Sequence, residues 1–394
     1  GMISVDSGGK IDLGGGAGSA AYAMIGHGDQ SEASGTRMGD IFVRAAGEIS
    51  LDPAIGIVHI GHRTRTSGGI SNANVTVEAG SMDETVGDAF SNVYTVSDAI
   101  GNMMQDNLAG GDVSLHATGS GGLWMNSTGN FLYETATDLN LLSEYDVYIS
   151  DDVMNRSDGD INVVAGWSPT TAPLAGLSGI IANVDMATDI FGVAGAFGNN
   201  TGDVFVGIGA DGLGTDTGPA ADTNLAVASR LGGTNVAGRD VNVWGYPTTG
   251  GGVEVSADTR KYSKIGYDRD DAGDGTAASN PLSISGRIRV NATNDIRVES
   301  NKGAYGTEGS SGWTHTDRSG YASHAQIGHG GDRDSVDNIT VTGDIIVESG
   351  NDVVLRGGIT RENFAMIGHG GYANSDDIPN GLGGDITVTA GNDL

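Results

Sequence analysis

The stretch GDIIVESGNDVVLRGGITRENFAMIGHGG, residues 343–371, decides the fold. Three short apolar alternations run through it: Ile345 and Val347, Val353 and Leu355, Ala365 and Ile367. A period of two puts successive side chains on opposite faces of an extended chain, so each alternation predicts a short half-buried strand. Between them stand Gly350-Asn351-Asp352 and Gly357-Gly358, residues that tolerate positive φ and turn the chain with little strain. One unit is three strands and three corners. It has too few apolar groups to bury a face alone and must stack on copies of itself.

Those copies are present. Ala-Met-Ile-Gly-His-Gly occurs at 23–28 and 365–370, and Ala-Gln-Ile-Gly-His-Gly at 325–330. Looser forms are Val58-His59-Ile60-Gly61-His62 and Ser263-Lys264-Ile265-Gly266-Tyr267. A second phrase, Gly-Asp-(Ile/Val)-x-(Val/Leu), begins at Gly39, Gly111, Gly159, Gly202, Gly343 and Gly384. The shared isoleucine moves from 25 to 60 and from 327 to 367, so the period is 35 to 40 residues. That period, with strand-and-turn content, indicates a solenoid. The predicted fold is all-β: a parallel β-helix with three short strands per coil, right-handed by the crossover rule. Ten or eleven coils at ~4.8 Å would make a rod about 50 Å long.

Composition agrees. A single core of 394 residues would normally split into domains, whereas a repeat touches only its neighbours. Glycine is 68 of 394 without a collagen triplet, and the Ile/Val alternation argues against disorder. The net charge of −30 excludes a nucleic-acid partner, because phosphate needs Lys and Arg, and it suits divalent cations. There is no cysteine, hence no disulfide frame and no thiolate chemistry. No apolar run is long enough for membrane insertion. Gly1-Met2 reads as a cleavage scar and residues 384–394 stop partway through a unit, so the chain is expected to be a piece of a longer repeat protein.

Three regions are expected. Residues 1–80 hold coils with Ile-Gly-His corners. Residues 81–237 hold divergent coils with longer loops. Residues 238–394 return to regular coils, cut at the C-terminus. Within the middle region, residues 98–108 place Ala99, Ile100, Met103, Met104 and Leu108 at helical spacing. Residues 219–231 begin with proline and stop at Gly232-Gly233. Both predict helical insertions.

The Gly-Asp-Ile-x-Val, Asn-Asp-Val-x-Leu and Ala-x-Ile-Gly-His-Gly-Gly pattern resembles the repeats of large secreted bacterial surface proteins of the filamentous-haemagglutinin and autotransporter-passenger kind. The resemblance covers the outer thirds of the chain and fades in the middle. It implies an extracellular adhesin or surface fibre of a Gram-negative bacterium, secreted or at the cell surface. Partners would be a glycan or a cell-surface receptor. End-to-end self-association of exposed coil ends is a further expectation.

Four groups of residues could carry chemistry. His27, His62, His329 and His369 share one corner position. Stacked one coil apart, two imidazoles could hold a transition metal. The preferred reading is structural, each ring bonding a neighbouring coil's backbone, because Tyr267 stands at the same position. Asp40, Asp112, Asp160, Asp203, Asp344 and Asp385 open strands, and a ladder of like charges repels unless each bonds corner N–H groups or some share calcium. Asp268, Asp270 and Asp274 sit in a loop whose start resembles an EF-hand, yet Ala272 and Ser279 replace ligands, leaving a looser Ca2+ site against a solvated turn. Trp124, Trp167, Trp244 and Trp313 are candidate ligand contacts, with loop packing as the plainer role. No Gly-x-Ser-x-Gly, His-Glu-x-x-His or phosphate loop is present. The function predicted is a rigid, non-catalytic stalk or adhesive surface. A polysaccharide lyase or hydrolase on the same scaffold is the alternative.

Overall fold

The computed structural model describes residues 1–14, 22–26, 39–52, 57–60, 75–83, 96–97, 103–104, 113–117, 122–125, 131–133, 138–149, 153–155, 159–167, 202–207, 223–227, 232–245, 263–267, 283–300, 324–330, 340–357, 364–370 and 381–394. Among these residues every regular element is a strand. Among the described residues no helix is long and apolar enough to cross a membrane.

The strands pair in parallel columns. In the first column Ile3–Ser7 pairs with the start of Ile41–Asp52. The series continues through Val75–Asp83, Val113–Ala117, Leu139–Ser143, Ile161–Val164, Thr234–Gly238, Ile288–Ala292 and Ile345–Ser349 to Ile386–Ala390. In the second column Ile11–Gly14 pairs with the later half of Ile41–Asp52. The later half of Val75–Asp83, then Leu123–Met125, Val147–Ile149, Val204–Val206, Val241–Gly245, Ile296–Ser300 and Val353–Arg356 follow. A third column is seen as Tyr22–Ile25 on Ile57–Ile60. Further on it runs through Phe131–Tyr133, Val153–Asn155, Thr223–Val227, Ser263–Ile265, Ala325–Ile327 and Ala365–Ile367. A fourth, of two-residue strands, joins Ser283–Ile284, Thr340–Val341 and Gly381–Leu382. The chain visits the columns in turn and returns to the first, so each visit lays one rung on the last.

Register follows from which side chains are buried. Ile288 faces Ile345, which faces Ile386, and Val290 faces Val347, which faces Val388. A slip of one residue would turn these groups to the other face. The inward rows of the first three columns form one apolar cluster, with Val243 and Val298 from the second column and Ile265 and Ile327 from the third. Short β-branched side chains suit this space, since each rung must fit against a nearly identical one.

Two expectations are corrected. The helix predicted over 98–108 is replaced at Met103–Met104 by a strand that pairs antiparallel with Val96–Ser97. The helix predicted over 219–231 is replaced by Thr223–Val227, a rung of the third column with Leu225 buried in the core between Val153 and Ile265. The apolar residues there satisfy either period, and pairing with neighbouring strands decides.

The strands of the middle rungs are also more buried than simple alternation predicts. Leu139–Ser143 and Ile161–Val164 are buried at every residue. Away from the shared cluster, Asn140, Asn162 and Asn235 occupy matching positions on successive rungs. Asn140 Nδ2 donates to Ser114 Oγ at 3.1 Å, Asn162 Nδ2 to Asn140 Oδ1 at 2.9 Å, and Asn235 Nδ2 to Asn162 Oδ1 at 2.8 Å. Carboxamides stacked one rung apart satisfy one another, and that keeps polar side chains tolerable in a dry place. Asn162→Ala breaks two of these bonds and should cost about 1–3 kcal/mol. The measure is the denaturation midpoint, and an unchanged midpoint would contradict the row's role.

Candidate functional site

The Ile-Gly-His corner repeats in register from rung to rung. Ile265, Ile327 and Ile367 pair in register, which stacks Gly266, Gly328 and Gly368 after them. Gly328 has φ +153, and a Cβ there would lie 1.8 Å from Gly368 O, so no side chain fits. The rings of His329 and His369 stack at 5.3 Å with planes 1° apart. His329 Nδ1 accepts the backbone N–H of Tyr267 at 3.1 Å, and His369 Nδ1 accepts that of His329 at 3.2 Å. A backbone N–H can only donate, so Nδ1 bears the lone pair and Nε2 the proton. Nε2 donates to Gly286 O in His329 and to Gly343 O in His369. Both ring nitrogens are therefore engaged by backbone, and neither lone pair is left for a metal. Burial is the main cause that pushes His329 down to about 3 and holds His369 below the ordinary histidine value. His27 and His62 lie outside the described residues.

The residue two before the corner glycine adds a second tie on two of the three rungs. Lys264, Gln326 and Met366 are register partners. Lys264, fully buried, donates from Nζ to Gly330 O at 2.6 Å. Gln326 Nε2 donates to Gly368 O and Gly370 O, both at 2.8 Å. The variable position of the Ala-x-Ile-Gly-His phrase is thus a clamp on the next rung's corner. Sequence reading did not single it out, though the run Lys, Gln, Met at one position was its signal.

The strand-opening aspartates also bond from rung to rung, but in two separate ladders. Near the first column, Asp138 Oδ1 accepts the backbone N–H of Asp160, and Asp160 Oδ1 that of Gly233. Asp344 Oδ1 accepts that of Asp385. Near the second, Asp146, Asp203, Asp240, Asp295 and Asp352 each accept the N–H of the aspartate one rung on, ending at Asp393. The asparagine before the aspartate repeats the bond: Asn294 Nδ2 reaches Asp240, Asn351 reaches Asp295 and Asn392 reaches Asp352. The single ladder that included Asp203 is corrected, since Asp203 belongs to the second column with Asp146 and Asp240. Arginines offset the charge: Arg239 binds Asp203 through Nε at 2.8 Å, and Arg297 binds Asp295. Burial raises the Asp203 carboxyl, and Arg239 opposes that rise.

One row along the second column is aromatic. Trp124, Tyr148 and Phe205 are register partners, followed by Asn242 and Arg297. Tyr148 and Phe205 stack at 5.1 Å, and Tyr148 donates its hydroxyl to Asp146 Oδ2 at 2.9 Å. Burial, then the Asp146 carboxylate, hold that phenol well above its ordinary range. Trp244 lies in the same column, opposite Glu299 in register. Trp167 lies at the bend that follows Ile161–Val164, as a loop-packing role expects, but not on the surface: it is 4% exposed, with its backbone N–H bonded to Ser143 O. The structure therefore brings Trp124 and Trp244 onto one column and leaves Trp167 inside. Trp313, Asp268, Asp270 and Asp274 lie outside the described residues.

One further cluster joins Arg44, Glu78 and His116, register partners in the first column. Arg44 Nε lies 3.0 Å from Glu78 Oε1 and His116 Nδ1 3.4 Å from Oε2, and the His116 bond holds Glu78 below the usual carboxylate range. Among the described residues no group of three or more His, Asp or Glu side chains could hold a metal ion. No family model, curated protein or solved structure matches the chain.

The clamp position gives a direct test. Lys264→Gln should stay within about 1 kcal/mol of the parent, because Gln326 already performs the same task one rung on. Lys264→Glu sets a carboxylate against the Gly330 carbonyl in a dry site and should cost about 3 kcal/mol or more. Thermal melts of the two variants decide, and equal losses would contradict the assignment.

Proposed function

We propose that the first three columns close around their shared core as a right-handed parallel β-helix, and that this rod serves as a rigid, non-catalytic stalk or adhesive surface outside a bacterial cell. What carries the reading is how the polar side chains are used. Asp146, Asp203, Asp240, Asp295 and Asp352 bond the next rung's backbone. His329, His369, Lys264 and Gln326 do the same at the corner. These groups hold the stack together and are not poised toward a substrate. A parallel crossover packs back on its sheet with right-handed sense. The first column's ten rungs at ~4.8 Å give a rod about 48 Å long. The extracellular setting rests on the repeat phrases and their resemblance to secreted surface proteins.

The half-exposed Tyr148, Phe205 and Arg297 of the aromatic row, with Trp124 at the matching register position, are the candidate contact surface, with a glycan as the preferred partner. Amphipathic rings beside carboxylates and guanidinium groups suit hydroxyl-rich chains. The raised Asp203 carboxyl in that strip favours one second reading, a polysaccharide-active enzyme with Asp203 as proton donor. Its chelating bond to Arg239 and its tie to the Asp240 backbone favour the structural role.

Incubation with a panel of acidic and neutral polysaccharides separates the readings. Retention without new reducing or unsaturated ends is the expected result. Cleavage that vanishes in Asp203→Asn would establish the enzyme instead. No retention on any member of the panel would remove the glycan-directed surface.

A further inference from the structure

The stacked corner holds only while its imidazoles are neutral. A proton on Nδ1 of His329 or His369 would set an N–H against the backbone N–H of Tyr267 or His329, turning a bond into a repulsion. At His329 this would happen in a fully buried place, where an unpaired charge is costly. Among the described residues, Lys264 and His369 face His329, and both oppose added positive charge there. Asp344 faces His369 and favours its protonation. His369 is also the half-buried ring of the pair.

We propose that the Ile-Gly-His corner is an acid-operated clasp, which opens as its histidines take up protons and releases the third column while the first two columns hold. Opening starts at His369, the more accessible ring with a carboxylate beside it. The His329 N–H then loses its acceptor, so the next corner is loosened in turn. The first two columns are tied instead by carboxylates that accept backbone N–H groups, with no imidazole in those ties. The sign follows from linkage. Each histidine has its folded value below the unfolded one, so the open state binds more protons. The clasp is at full strength above the ordinary value of about 6.5 and weakens as pH falls below it.

Amide hydrogen exchange, corrected for the intrinsic pH dependence, tests this. Protection of the Tyr267 and His329 amides should fall roughly tenfold or more between pH 7 and pH 4. The Val241 and Ile288 amides, bonded to Asp295 O and Asp344 O in the other columns, should hold. The double variant His329→Asn/His369→Asn keeps an acceptor oxygen but cannot titrate, so its corner protection should be flat with pH. A flat profile in the parent, the same fall in the double variant, or an equal fall at Val241 and Ile288 would overturn the proposal. If the double variant does not fold, imidazole NMR of the parent decides. Proton uptake by His369 must coincide with the loss of His329 protection, and uptake without that loss overturns the clasp.

Discussion

When parallel strands pair in register, each side chain meets its counterpart one rung away at about 4.8 Å. Whatever occupies a position must therefore be compatible with its own copy above and below. Valine and isoleucine meet that condition by packing, and the rows through Ile288, Ile345 and Ile386 and through Val290, Val347 and Val388 follow from it. Charged and polar groups meet it only if each can bond the adjacent rung. Nearly every described ladder is a solution to that one problem.

The solutions differ with the chemistry of the side chain. Carboxylates cannot bond each other when ionised, so the aspartates reach past one another to backbone N–H groups. Asparagine carries a donor and an acceptor and can chain directly, as Asn140, Asn162 and Asn235 do. Imidazole also carries both, but it spends them on backbone, one nitrogen for an amide and one for a carbonyl. This makes the corner dependent on protonation in a way that the carboxamide row is not. Glycine completes the corner because the backbones approach too closely for a Cβ: at Gly266 it would sit 2.0 Å from Gly328 O.

Much of this was legible in the residues alone. The repeated Ala-x-Ile-Gly-His phrase marked positions that stack, and the structure pairs Ile25 with Ile60, Ile265 with Ile327, and Ile327 with Ile367. The all-β, parallel character followed from period-two alternation. Helical spacing misled at 219–231 because a strand rung with Leu225 at its centre fits the same apolar pattern, and only its neighbours Val153 and Ile265 distinguish the two. The aspartate ladders were partly legible. The Gly-Asp phrase opens strands in two columns, and sequence carries no mark of which column a given rung joins. Lys264 was the least legible residue, since a lone lysine reads as solvated until its register with Gln326 is known.

The central claim is in-register parallel stacking, and the absence of native cysteine allows a clean test. Asn291 and Glu348 are register partners on adjacent rungs and both are half-exposed. Cysteines placed at both positions should oxidise to an intramolecular disulfide, since partner Cα atoms fall within the ~4.4–6.8 Å that a disulfide spans. A control pair at Arg289 and Asp393, which belong to different columns, should not cross-link. Formation of the first bridge without the second is the predicted result. Failure of the 291–348 pair under conditions that oxidise accessible thiols would contradict the stacking on which the whole account rests.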